Sequence, residues 1–101
     1  MEVSDIVDPE KRVLAFEVSK GLTLDRRRVV KVVEAIHGVT ITRRPKLIES
    51  LDHEEFCEFT LDGAEFVAWE PFNDSDRYWI GPKSHQWTEV IDRVRDAFLR
   101  A

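Results

Sequence analysis

Glu55-Phe56-Cys57-Glu58-Phe59-Thr60-Leu61-Asp62-Gly63-Ala64-Glu65-Phe66-Val67-Ala68-Trp69-Glu70 reads as two apolar-alternating runs on either side of Asp62-Gly63. That dipeptide suits the two-residue hairpin turn in which both central residues need positive φ. Closed this way, the hairpin sets Leu61 opposite Ala64, Phe59 opposite Phe66, Cys57 opposite Ala68 and Glu55 opposite Glu70, a face that stays apolar until its end. The other face pairs Thr60 with Glu65, Glu58 with Val67 and Phe56 with Trp69. It is polar near the turn and aromatic at the far end.

Downstream, residues 71–76 read as a polar loop, and Arg77-Tyr78-Trp79-Ile80, stopped by Gly81-Pro82, as a further short strand. If the loop simply reverses the chain so that Glu70 meets Arg77, Trp69 lies opposite Tyr78 and Val67 opposite Ile80, while Trp79 turns to the covered face. Ser84 is then placed to cap a helix running to the C-terminus. Its stripe is Trp87, Val90, Ile91, Val94 and Phe98, with Glu89–Arg93 and Asp96–Arg100 as i,i+4 pairs on the wet side.

Upstream, Val39-Thr40-Ile41-Thr42 alternates and ends at Arg43-Arg44-Pro45, where proline removes a ladder donor. Residues 46–52 fit either a turn of helix or an edge strand. Thr23 can cap a helix over 24–37 whose Val29, Val32, Val33 and Ile36 fall at helical spacing, with Gly38 at a left-handed C-terminal cap. The β-branched run from Val29 to Val33 would also suit a strand. Arg12 to Val18 reads as the first strand, with Leu14, Phe16 and Val18 inward, and residues 1–10 as a flexible acidic tail. The chain order β-α-β-β-β-β-α predicts one α+β domain over 1–101. It is a two-layer sandwich with about five largely antiparallel strands and both helices on one face.

The 101 residues carry 15 Lys plus Arg against 20 Asp plus Glu, a net charge of −5, and 43% are hydrophobic. A chain of this size supports a single core, which excludes large enzymes, and it is too apolar for a disordered one. Residues 1–46 sum to +3 and residues 47–101 to −8. One cysteine, an acidic N-terminus and the lack of any long apolar run predict a reducing, cytoplasmic setting and no membrane span.

Dedicated chemistry is sparse. His37, His53, Cys57 and His85 are the soft metal candidates, but no CxxC or HxxxH spacing joins them, so no metal site is expected. Asp74-Ser75-Asp76 opens like a calcium loop, yet loop positions six and twelve fall on Trp79 and His85. Gly21, Gly38, Gly63 and Gly81 are isolated, so there is no glycine-rich phosphate loop and no cofactor is expected. Glu55 facing Glu70 could split its pKa values into an acid and a base, although Arg77 is a ready partner for Glu70. Arg26-Arg27-Arg28 crowd a helix start where the macrodipole favours anions, and with Lys31, Arg43 and Arg44 they form a candidate anion or nucleic-acid contact. The acidic total disfavours tight duplex binding.

The functional expectation is a small non-enzymatic interaction domain. It self-associates, or binds a protein partner, through an aromatic patch of Phe56, Val67, Trp69, Tyr78 and Ile80 on the open side of the sheet. Alternatives are an acidic inhibitor or immunity-type partner of a basic protein, and a weak nucleic-acid binder through the arginines.

Overall fold

The computed structural model describes residues 2–19, 24–44, 55–71 and 77–101. In chain order the elements are β1 (Glu2–Val7), β2 (Val13–Ser19), α1 (Arg26–Glu34), β3 (Thr40–Arg43), β4 (Glu55–Leu61), β5 (Ala64–Trp69), β6 (Arg77–Pro82) and α2 (Ile91–Arg100). The six strands form one sheet in the order β1-β2-β6-β5-β4-β3, and every neighbouring pair is antiparallel. The α+β class and the helix-on-sheet layering are as expected from the sequence. The additional strand is β1: residues read as a flexible tail instead pair with β2 from Glu2–Ser19 to Val7–Val13.

Asp8 closes the β1–β2 turn. Its Oδ1 accepts from the backbone N–H groups of Glu10 and Arg12, both at 2.9 Å, and its Oδ2 accepts from Arg12 Nε at 3.0 Å. Lys11 completes the turn at φ +67°. An acidic segment can thus be a strand because its carboxylates have addresses: Asp8 organises the turn, and Asp5 accepts from Arg95 Nε of α2 at 2.6 Å.

The Asp62-Gly63 turn is the expected one, with φ +50° and +81°. From it the β4–β5 register runs as anticipated through Leu61–Ala64, Phe59–Phe66 and Cys57–Ala68, then slips at a bulge between Glu55 and Cys57. An extra residue on one strand turns its neighbours to the other face. Glu55 therefore opposes Trp69, and Phe56 joins the covered side.

Both helices cover one face. α1 is capped by Asp25, whose side chain accepts from the Arg28 N–H at 2.9 Å; the expected cap Thr23, and the ambiguous segment 46–52, lie outside the described residues. Helix wins over strand in the valine-rich run because Val29, Val30, Val32 and Val33 are all buried against the sheet and α2, and tertiary burial outweighs the small rotamer penalty. α2 begins at Ile91, later than a Ser84 cap implies; the chain from Lys83 to Val90 is turns and bends, and Trp87 is 43% exposed. The core is one cluster in which Phe16, Val18, Phe59, Phe66 and Ile80 of the sheet meet Val33, Ile91, Val94 and Phe98 of the helices. Phe16 meets Phe98 edge to face at 5.5 Å.

Candidate functional site

Register decides what the open face presents. β6 pairs with β5 as Phe66–Pro82, Val67–Gly81, Ala68–Ile80 and Trp69–Trp79. This is one residue away from a simple reversal at Glu70 and Arg77, and a one-residue slip exchanges the two faces of a strand. Tyr78 and Ile80 are consequently core residues, 2% and 0% exposed, and the bulge buries Phe56 completely. Three of the five expected patch residues thus leave the open face. Val67 and Trp69 stay, and Trp79 joins them.

The resulting site is a cross-strand pair of tryptophans, edge to face at 5.7 Å and half-buried. Trp79 Nε1 donates to Glu17 Oε1 at 2.9 Å across the β2–β6 seam, satisfying the indole and fixing its ring. Arg77 Nη1 lies 3.9 Å from the same carboxylate oxygen. Beside the rings Val67 is 4% exposed yet belongs to no part of the helix-side core. Lys83 Nζ to Glu58 Oε1, 2.6 Å, closes the other flank, and this hydrogen bond raises the Lys83 pKa. Between the flanks Gly81 lets β6 approach β2 closely, since a Cβ there would sit 2.8 Å from Ala15 Cβ. Gly81 was a signal available in the sequence, as a glycine inside a strand marks close backbone approach.

The expected basic cluster is dispersed. Arg26 Nε donates to Glu70 Oε1 at 2.9 Å and its guanidinium stands 4.9 Å over the Phe56 ring. Arg43 donates to the Glu55 carbonyl, and Arg44 to Glu34. Arg27 is exposed. Arg28 turns toward α2, where it lines a cleft of about 610 Å³ together with Lys31, Arg93 and Arg100. Arg93 and Arg100 do not form the expected pairs with Glu89 and Asp96: Arg93 instead donates to Asp62 and to the His37 carbonyl.

The remaining chemical candidates separate. Glu70 is held by Arg26 while Glu55 opposes Trp69, so the two carboxylates are not a facing pair. Cys57 is fully buried, and burial pushes its thiol up to about 11. Among the described residues no group of three or more His, Cys, Asp or Glu is arranged to hold a metal ion, and no helix is long and apolar enough to cross a membrane. No protein-family model, no curated protein and no solved structure matches this chain.

Proposed function

We propose that this chain is a small non-enzymatic interaction domain that pairs with a second copy of itself through the open face of its sheet, with Trp69 and Trp79 at the centre of the contact. The observation that carries the reading is the tryptophan pair itself. Two large aromatic side chains stand together on the face that the helices leave, around a buried valine, and tryptophan dominates interface hot spots.

Two further features favour a second copy. The edge strands are poor templates for pairing: both outer ladders carry a bulge, and β1 directs the charged Asp5 toward α2. The rim of the aromatic patch carries both signs, Glu17 with Arg77 on one flank and Glu58 with Lys83 on the other, which a two-fold-related copy can match to itself. A reducing, cytoplasmic setting suits the lone buried thiol of Cys57.

Light scattering over a concentration series tests the proposal. The wild-type chain is expected at twice 11.8 kDa, and Trp69→Glu at the single-chain mass with an unchanged circular dichroism spectrum. A wild-type chain that stays monomeric at about 1 mM, where even a weak interface of roughly −4 kcal/mol is half occupied, overturns it.

A further inference from the structure

The cleft between α1 and α2 lies on the opposite side of the molecule from the tryptophans, and its chemistry is different. Its floor is apolar: Val32, Ala35 and Ile36 along α1 and its C-terminal turn, and Ala97 from α2. Its walls are cationic. Arg28 and Lys31 rise from α1, Arg93 and Arg100 from α2, and Asp96 is the one acidic side chain among them. Arg93 is engaged by Asp62 and the His37 carbonyl, which ties α2 to the β4–β5 turn. Arg28, Lys31 and Arg100 are exposed and form no ion pair with any described residue. In a chain of net charge −5, three cations outside any ion pair among the described residues, with the single side-chain carboxylate of Asp96 beside them, are a local excess around one apolar floor.

The spacing of these cations discriminates between ligands. Arg93 and Arg100 are seven residues apart on one helix, about 10 Å along its axis at 1.5 Å per residue, and Arg28 and Lys31 stand on the facing wall. A single-headed anion such as a fatty acid wants its cations gathered at one end of an apolar slot. A nucleic-acid backbone wants a basic ridge without an apolar floor. Charges distributed along both walls of an apolar trough match an elongated ligand with anions on both flanks and an apolar underside. We infer that this cleft docks an acidic amphipathic helix of another protein, its apolar stripe on Val32, Ala35, Ile36 and Ala97 and its carboxylates on Arg28, Lys31 and Arg100. Helix-in-groove recognition of this kind uses anchors at i, i+3, i+4 and i+7. Pairing through the sheet leaves the helical layer outward, so the two contacts are independent and either can fail alone.

Fluorescence anisotropy with a labelled helical peptide of about 18 residues, five turns, tests the inference. The peptide carries Leu at i, i+3, i+4 and i+7 and Glu on its flanks, and a control peptide carries Lys in place of Glu. The acidic peptide is expected to bind and to weaken about tenfold between roughly 50 and 300 mM salt, because exposed ion pairs are screened over that range. The double variant Arg28→Glu/Lys31→Glu, both exposed positions, is expected to lose about tenfold or more with an unchanged melting temperature. Ala97→Glu, which puts a carboxylate on the floor, gives a second route to the same loss. Equal binding of acidic and basic peptides, no binding of the acidic peptide, or displacement of it by dodecanoate or by a single-stranded oligonucleotide at equal concentration overturns the assignment.

Discussion

Replacing Arg26 by Gln should destabilise the protein by about 2 kcal/mol, whereas the same change at Arg27 or Arg28 should be neutral or slightly stabilising. Arg26 and Glu70 meet at 2.9 Å with side chains only 23% and 11% exposed, and the guanidinium covers Phe56 at 4.9 Å. Loss of a charge-assisted hydrogen bond costs about 1.5 to 3 kcal/mol, and loss of a partly exposed cation–π contact adds about 0.5 to 1. Removing a cation from a helix N-terminus returns about 0.3 to 1 kcal/mol. The balance is a loss, because Glu70 would be left poorly hydrated and without its cation. Arg27 and Arg28 keep only the favourable last contribution. For a domain of this size 2 kcal/mol lowers the melting temperature by about 8 to 16 °C. Urea and thermal melts followed by circular dichroism measure it, and a double-mutant cycle with Glu70→Gln isolates the coupling. If Arg26→Gln stays within about 0.5 kcal/mol of wild type, the ordinary range for an exposed substitution, or if Arg27→Gln costs as much, the ion pair does not hold α1 to the end of β5.

Gly81→Ala should cost about 1 to 3 kcal/mol, the range for overpacking, because the new methyl would meet Ala15 Cβ at 2.8 Å and the Leu14 carbonyl at 3.1 Å; Ala15→Gly in the same chain should recover part of it in urea melts. Cys57, with its thiol raised to about 11 by burial, should label with a maleimide only as fast as the protein unfolds. Fast labelling without denaturant would show that the β4–β5 core is open. The Asp8 carboxyl is held below its usual value, chiefly by accepting the Arg12 backbone N–H. Its folded pKa being the lower one, its contribution is complete above the ordinary carboxylate range and disappears as pH falls through the folded value. Melts at neutral and acid pH should therefore show a smaller acid-induced loss for Asp8→Asn than for wild type.

The β4–β5 hairpin, the covered residues Phe16, Val18, Phe59 and Phe66, and the two-layer class are legible because each rests on local chemistry; Leu14, expected inward with Phe16 and Val18, is instead the extra residue at the β1–β2 bulge and lies outside the core. Asp62-Gly63 names its own turn, and alternation names its own faces. What escapes is parity. Whether Tyr78 or Trp79 points to solvent depends on whether the connection from β5 to β6 sets Trp69 against Tyr78 or Trp79. Whether Phe56 is core or surface depends on one extra residue at a bulge. Neither has a side-chain signature comparable to an Asp-Gly turn. Long-range charge pairing escapes for the same reason: an arginine looks alike whether its carboxylate is four residues away or, as for Arg26 and Glu70, 44. The strand at Glu2–Val7 is hidden by its acidity, which is explained only once Arg95 is seen above Asp5.

The sheet is assembled from two pieces of chain that meet along one line. β1 and β2 form a hairpin, β3 to β6 run as a meander, and among the described residues the only strand pairing between them is β2 with β6. The hydrogen bond from Trp79 to Glu17 crosses that line between residues 62 apart in sequence. Each piece can zip by local contacts, but closing the line requires a long loop to be ordered first, and that entropy loss precedes any return from burial. This junction, where Phe16 and Val18 meet Ile80 and Tyr78, therefore carries the largest loop-closure cost of any pairing among the described strands. Until it closes, β2 and β6 both expose unpaired edges, and the same bond that orients the Trp79 ring ties the two pieces of the sheet together.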